Sequence, residues 1–347
     1  MILTIIHYFR SAKTNLFCMK LYLLILWGIL AHGLLVAQRI VFTPQWLPQA
    51  QFAGYYVAQE KGFYTEEGLE VEFSHPSASY SAFNRMVDGN SHIVTLQLLQ
   101  AMEAIDRGFP LVNILQTSQH NSLLIVPRND SICTLDDLRR KRVGIWKVGF
   151  GEPALILDRQ MGLDIEWIQY LQGINLLVSG AVDATLAMRY NEYWLIMASG
   201  IQPRQVFAVA DYGLDIPEDG LYVLQNFYKA HPEQVRAFAR ASRRGWEWTM
   251  EHPEEALKIV LKVMKQAKVP VNVHHQRWML QEVLKLAGDR KVDPVSTRQL
   301  KTEITFQGKA SFRLKPEQLE LANDILVKEG MIQTPVDYHQ FWKGEGK

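Results

Sequence analysis

Apolar and polar positions along this chain alternate between two periods. Ile40-Val41-Phe42, Ile93-Val94-Thr95-Leu96 and Leu111 to Leu115 are short apolar runs that read as strands. Leu69-Glu70-Val71-Glu72-Phe73 alternates with period two, the pattern of a half-buried strand. Between these runs lie helical stretches: Phe52 to Gly62, Ser79 to Asp88 ended by Gly89, and Leu99 to Arg107 ended by Gly108. Strands that alternate with helices in this way predict a parallel sheet with helical crossovers.

A second series starts near Leu123. Strands are expected at Leu123 to Val126, Arg142 to Ile145, Ile165 to Ile168, Ala184 to Met188 and Val206 to Val209. Thr134 with Asp137 has the spacing of a capped helix start, Pro153 opens a helix that runs to Met161, and Asn191 to Ser199 is a helix closed by Gly200. One further apolar run, Leu221 to Leu224, precedes four long helical stretches: Pro232 to Met250, Pro253 to Lys265, Val271 to Leu286 and Pro316 to Glu329. The expected body has two α/β lobes joined by a two-stranded hinge, Leu123–Val126 and Leu221–Leu224. Residues 38–124 plus 222–347 form one lobe and 125–221 the other. Ligands bind such bodies in the cleft between lobes, at strand C-termini and helix N-termini.

The first 37 residues read differently. Met19-Lys20, an apolar run from Leu21 to Ala31 and the small-residue end Leu35-Val36-Ala37 form a secretory signal pattern, with Met19 as a better-proportioned start than Met1. His32 interrupts the run before it reaches the roughly 20 residues a membrane span needs, so cleavage before Gln38 is expected and a retained anchor is the rival. An extracytoplasmic, periplasmic location follows. Removing the segment leaves 34 basic against 36 acidic residues, which gives no electrostatic case for nucleic acid. It also leaves Cys133 as the only cysteine, expected as a buried small apolar residue.

No Gly-x-Ser-x-Gly, His-Glu-x-x-His or Walker-type loop occurs. His274-His275 is expected at the surface, because neighbours on a helix face different ways. Gly149-Phe150-Gly151-Glu152 reads as a tight loop before a helix, whose free N–H groups can hold an anion or a polar ligand edge. Among the early aromatics, Phe52 and Phe63 are assigned to the core. Trp46 sits between Pro44 and Pro48 at the end of the first strand, where it lines the cleft and stacks on a planar ligand. Asn191-Glu192-Tyr193 opens a helix directly after a strand. An ordinary cap explains Asn191 and an acid in the first turn. The functional reading points Glu192 into the cleft, where its carboxylate matches an amidine-like edge such as an aminopyrimidine and repels nitrate, sulfonate or phosphate.

Several segments together resemble a known family. Trp46-Leu47-Pro48, Ala53-Gly54-Tyr55-Tyr56-Val57-Ala58, Lys61-Gly62-Phe63-Tyr64, His75-Pro76-Ser77, Arg107-Gly108-Phe109-Pro110, Val143-Gly144-Ile145-Trp146, Asn191-Glu192-Tyr193 and Asp211-Tyr212-Gly213 are similar to the thiamine-pyrimidine-precursor and nitrate/sulfonate/taurine solute-binding proteins. The resemblance spans essentially the whole chain after residue 37, and the Asn-Glu-Tyr and Asp-Tyr-Gly segments point to the pyrimidine branch. It implies a type II periplasmic binding fold, a monomer that serves an ABC permease and ATPase, no cofactor, and hydroxymethylpyrimidine or a formylated aminopyrimidine as ligand. It further implies that Trp46 and Tyr193 flank the ring, that Glu192 meets its amino edge, and that Asn191, the Gly149, Phe150, Gly151, Glu152 loop, Ser77 and Asp211 add contacts, with Ser79 a weaker candidate. The alternatives are a sulfonate, taurine or nitrate binder of the same fold and a sensor lobe for a membrane kinase. The superfamily also holds a pyrimidine synthase that consumes its own histidine. Leu96-Gln97-Leu98-Leu99-Gln100, where that enzyme carries lysine and histidine, has neither, and Asp215 to Gly220 replaces its cysteine-rich loop. An enzyme is therefore not expected.

Overall fold

The computed structural model describes residues 38–77, 80–147, 149–288, 304–306 and 308–344. The signal segment 1–37, with both possible starts, and Ser79 lie outside the described residues. In chain order the strands are β1 (Gln38–Thr43), β2 (Leu69–Phe73), β3 (Ile93–Gln97), β4 (Leu111–Gln116), β5 (Leu123–Pro127), β6 (Arg142–Trp146), β7 (Glu166–Tyr170), β8 (Ala184–Met188), β9 (Phe207–Ala208) and β10 (Asp219–Leu224). They form two five-stranded sheets, ordered β2-β1-β3-β10-β4 and β7-β6-β8-β5-β9.

Both sheets are mixed, not purely parallel. β1 runs parallel to β3, and β6 parallel to β7 and β8, as strand–helix–strand units require. β10 inserts antiparallel between β3 and β4, and β5 pairs antiparallel with β8 and β9. These two antiparallel strands follow the passages between sheets, where no helical crossover constrains direction. The hinge reading changes here. β5 pairs with its own sheet along all five residues and β10 with the other sheet along all six. Neither strand therefore bridges the lobes; the chain crosses between sheets at residues 117–122 and 213–218. Those two passages are bonded to each other: Ser122 N and Oγ donate to the Glu218 carboxyl (2.7 and 2.9 Å), and Asn121 N donates to Asp215 Oδ1 (2.9 Å).

Burial follows the sequence pattern. β3, β4, β5 and β8 are buried at every position, while β2 alternates buried Leu69 and Val71 with exposed Glu70 and Glu72. The helix Ala53–Glu60 packs on the long helix Pro232–Glu251 through two glycines. A Cβ on Gly54 would lie 2.3 Å from the Trp246 ring, and one on Gly245 would lie 2.1 Å from the Gly54 carbonyl oxygen. Only glycine permits this approach. The Thr134–Asp137 capping box is present, but it opens the 3-10 turn Leu135–Leu138 rather than an α-helix. Two expectations fail. Cys133 is exposed, not buried, because it lies in the turn that leads into this box, and its thiol donates to Asp130 O. His275 is buried and stacks on Trp194, with ring centroids 4.8 Å apart, while its neighbour His274 is exposed.

Candidate ligand-binding site

The site forms where three strand ends of the two sheets meet. After β1, Gln45 N donates to Thr95 Oγ1 on β3 (2.8 Å), which fixes the loop that carries Trp46. From behind, His75 Nδ1 donates to Trp46 O (2.8 Å) and Nε2 meets the Tyr56 hydroxyl (3.3 Å). Burial pushes the His75 pKa down, so this support is a neutral imidazole. From the second sheet, Trp146 ends β6 and the loop through Gly149 and Phe150 leads into the helix Glu152–Met161. Gly149 and Phe150 both have left-handed backbones, φ +66° and +69°. This conformation costs a phenylalanine energy, and such strain concentrates at functional loops. After β8, the segment Met188 to Asn191 leads into the helix Glu192–Ala198.

These elements line a small open chamber and, beside it, a larger cleft, the outer cleft. Gln45, Trp46, Gln49, Gln51, Trp146, Phe150, Met188, Tyr190, Asn191 and Glu192 line the chamber, which has a volume of about 20 Å³, room for a water. The outer cleft measures about 700 Å³, within the usual range for small-molecule sites. Trp46 and Phe150 border both and meet edge to face across the slot, with centroids 5.9 Å apart. Trp146 packs edge-on against the other side of Phe150 at 6.2 Å.

Glu192 is the acid of the chamber. Its Oε2 accepts from Met188 N (3.1 Å) and its Oε1 from Asn191 Nδ2 (2.9 Å). Burial pushes its pKa up to about 7, and hydrogen bonds from its own backbone N–H, Met188 N and Asn191 only partly offset that cost. Asn191 occupies the cap position, but its side chain makes no cap bond and orients Glu192 instead. Bonded to the chamber's glutamines is a second, half-buried acid that the sequence reading missed. Asp219 takes Gln45 Nε2 on Oδ1 (2.5 Å) and Gln51 Nε2 on Oδ2 (2.7 Å), and Gln49 Nε2 donates to Gln51 Oε1 (2.7 Å). Burial raises the Asp219 pKa to about 6. The signal for this network was the recurrence of glutamine at 45, 49 and 51 beside Trp46.

The expected site residues divide. Trp46, Asn191 and Glu192 line the chamber, and Trp46, Ser77, Gly149, Phe150 and Glu152 line the outer cleft. Gly151 is buried at the start of the helix, where a Cβ would lie 2.6 Å from the Ile145 side chain, so it shapes the loop from below. Tyr193 is not a wall of the slot. Its ring is packed with Leu124, Val126 and Ile196 and with Trp278 of the later helix Val273–Leu286, because one helical step past Glu192 turns it from the cleft to the core. Phe150, Trp146 and Tyr190 are the aromatics that line the chamber with Trp46. Asp211 is exposed on the 3-10 turn Val209–Tyr212 and lines neither space. Among the described residues, no group of His, Cys, Asp or Glu side chains is arranged to hold a metal ion, and no helix is long and apolar enough to cross a membrane.

Residues 49–256 match the model of a protein family described as NMT1/THI5 like. The chain belongs to the NMT1/THI5-like family. It is 27% identical over 236 residues to the formylaminopyrimidine-binding protein of Halalkalibacterium halodurans, covering 65% of this chain and 71% of the relative. It is 28% identical over 257 residues to the riboflavin-binding protein RibY of Chloroflexus aurantiacus, covering 71% and 72%. It is also 25% identical to the 4-amino-5-hydroxymethyl-2-methylpyrimidine phosphate synthase of Aspergillus parasiticus, covering 67% and 73%. Its fold is that of the periplasmic aliphatic sulphonate binding protein SsuA from Escherichia coli, with a TM-score of 0.60, 16% identity and coverage of 90% and 94%. The NMT1/THI5-like chain therefore has the periplasmic binding protein fold expected of it.

Proposed function

We propose that this NMT1/THI5-like protein is the extracytoplasmic solute-binding component of an ABC importer, and that its ligand is a thiamine pyrimidine precursor, hydroxymethylpyrimidine or formylaminopyrimidine. The observation that carries the reading is the buried Glu192 carboxyl at the end of a chamber walled by Trp46, Trp146 and Phe150. Aromatic faces suit a flat ring, and a carboxyl suits the N–H edge of an aminopyrimidine. The likeness to a formylaminopyrimidine-binding protein supports the same class. A chamber with room for one water does not admit a ring while Trp46 and Phe150 touch, so capture requires the two lobes to part at 117–122 and 213–218 and then close. We read the protein as a carrier and not as a synthase, because Leu96 to Gln100 beside the cleft supplies neither lysine nor histidine.

A flavin is the second reading. The outer cleft of about 700 Å³ exceeds what a single pyrimidine fills, and one relative is named a riboflavin-binding protein. The test is a thermal-shift panel with hydroxymethylpyrimidine, formylaminopyrimidine, riboflavin, taurine, an alkanesulfonate and nitrate, followed by calorimetry on each hit. A ligand at 100 times its Kd adds about 2.7 kcal/mol of stability. Shifts confined to the pyrimidines support the proposal. A shift with riboflavin alone replaces the ligand and keeps the site, and shifts confined to the anions overturn both.

A further inference from the structure

One buried helix carries side chains to both walls of the chamber. In the helix Val273–Leu286, five consecutive residues from Trp278 to Glu282 are buried, so burial runs round the whole circumference and not along one stripe. Polar side chains in such a helix are costly unless they are bonded. Gln276 is 4% exposed, and its Oε1 accepts from Ala50 N (2.7 Å). Ala50 opens the 3-10 turn Ala50–Phe52, so this bond fixes the loop whose Gln49 and Gln51 line the chamber. Two residues on, Trp278 Nε1 donates to Arg189 O (3.0 Å), and one turn further Glu282 accepts from Arg189 Nε. These bonds hold the segment whose Met188, Tyr190 and Asn191 line the chamber, and whose Met188 N anchors Glu192. Residues two apart project about 200° from each other round a helix. Gln276 and Trp278 therefore leave the helix on nearly opposite sides. The loop that Gln276 holds follows β1 of one sheet, and the segment that Trp278 holds ends β8 of the other. Packing divides in the same way. Met279, Leu280 and Leu284 join the large core with Phe52 and Ala53, while Trp278 joins the smaller cluster of Leu124, Val126 and Ala187. His275, one turn before Trp278 on the same face, stacks on Trp194 of the helix that follows β8. Neither Gln276 nor Trp278 lines the chamber or the outer cleft.

We infer that the helix Val273–Leu286 is the spacer of the site, and that Gln276 and Trp278 are positioning residues that set the separation of the two chamber walls and so the width of ring the chamber accepts. The inference rests on the reading of the chamber as the ligand site and adds which residues outside it fix its dimensions. A close-packed helix transmits strain instead of absorbing it, so a wall released on one side of the helix disturbs the wall on the other. Lobes that part at 117–122 and 213–218 come to rest against this helix when they close.

Two measurements on the full chain test it. The first is amide hydrogen exchange of the ligand-free protein in Gln276→Met, which keeps the length but loses the acceptor, and in Trp278→Phe, which keeps a ring but loses the N–H. Each variant is expected to speed exchange about fivefold or more at both walls, residues 49–52 and 188–192, including the wall that the altered side chain does not touch. Gln276→Glu, which keeps an acceptor at the same reach, is expected to stay within about twofold of the parent. The second is calorimetry with hydroxymethylpyrimidine and its homologue carrying ethyl in place of the ring methyl. The parent is expected to prefer the methyl compound about tenfold or more, the usual effect of one methylene in a fitted pocket. Gln276→Met and Trp278→Phe are each expected to shrink that ratio about threefold or more, and Gln276→Glu to keep it. A loss of stability alone weakens both compounds together and leaves the ratio unchanged. Faster exchange confined to the touched wall, or an unchanged ratio in variants that circular dichroism shows to be folded, overturns the spacer. A parent that binds neither compound overturns the pyrimidine reading, and the exchange result then decides the spacer by itself.

Discussion

Replacing Glu192 with alanine tests the chamber most directly, because its effect on stability depends on pH with a predictable sign. The carboxyl is 5% exposed, and burial raises its pKa from 4.5 to about 7. In the unfolded chain the group loses its proton at the ordinary carboxylate pKa, so between about pH 4.5 and 7 the folded state binds more protons than the unfolded one. Stability contributed by this group is therefore present below that window and lost as pH rises through it. A shift of that size corresponds to about 3 kcal/mol. The alanine variant lacks the loss but leaves Met188 N and Asn191 Nδ2 without their acceptor, at a cost of about 1–3 kcal/mol. The variant is thus expected to be clearly less stable than the parent at pH 5, with the deficit shrinking by about 2.5 kcal/mol and vanishing or reversing at pH 8. The acids Glu152, Glu218 and Asp219 titrate in both proteins and cancel in the difference. Urea unfolding at the two pH values measures it. A deficit of the same size at pH 5 and pH 8 would refute the argument, since it would mean that the folded carboxyl is already ionised at pH 5. In the same variant, pyrimidine affinity should fall by about 1.5–3 kcal/mol, roughly 10- to 150-fold in Kd.

Two further substitutions probe the supports of the site. Gly149→Ala places a side chain at φ +66° and within 1.9 Å of Gln100 Nε2, so it should cost about 1 kcal/mol or more in urea unfolding and slow lobe closure; a neutral result would show that the loop relaxes freely. Arg189 Nε donates to Glu282 Oε2 (2.6 Å), with both side chains largely buried, and Trp278 Nε1 holds the Arg189 carbonyl (3.0 Å). Arg189→Met leaves Glu282 to Lys285 alone and should destabilise the fold by about 3 kcal/mol, read as a lower urea midpoint; the double change Arg189→Met with Glu282→Leu should recover most of it, and a double variant as weak as the single one would contradict that account.

How much of this was legible depends on whether neighbours in sequence or neighbours in space decide the question. Strand positions follow from local pattern, and β2 and β8 fall where alternation and apolar runs place them. Helix starts with proline at 153, 232, 253 and 316 are equally local. Strand direction is not local: nothing in Leu221 to Leu224 says that it pairs antiparallel between two strands of the other series, and this is why it read as a hinge. The site divides in the same way. Trp46 and Glu192 were readable because each follows a strand end, and the fold brings strand ends to the cleft. Tyr193 was misread because a helix turns about 100° per residue, so adjacency to Glu192 argues against sharing its face. The glutamines at 45, 49 and 51 carry no charge pattern or motif of their own. Their role appears only when β10 delivers Asp219, more than 160 residues away, to accept from two of them. Asp219 in turn borders the passage at 213–218, whose last residue, Glu218, accepts from Ser122. Consecutive residues thus tie the chamber wall and the passage between lobes. Under the proposed binding role, a ligand that pulls on Gln45 would act on the strand end beside the passage between the lobes.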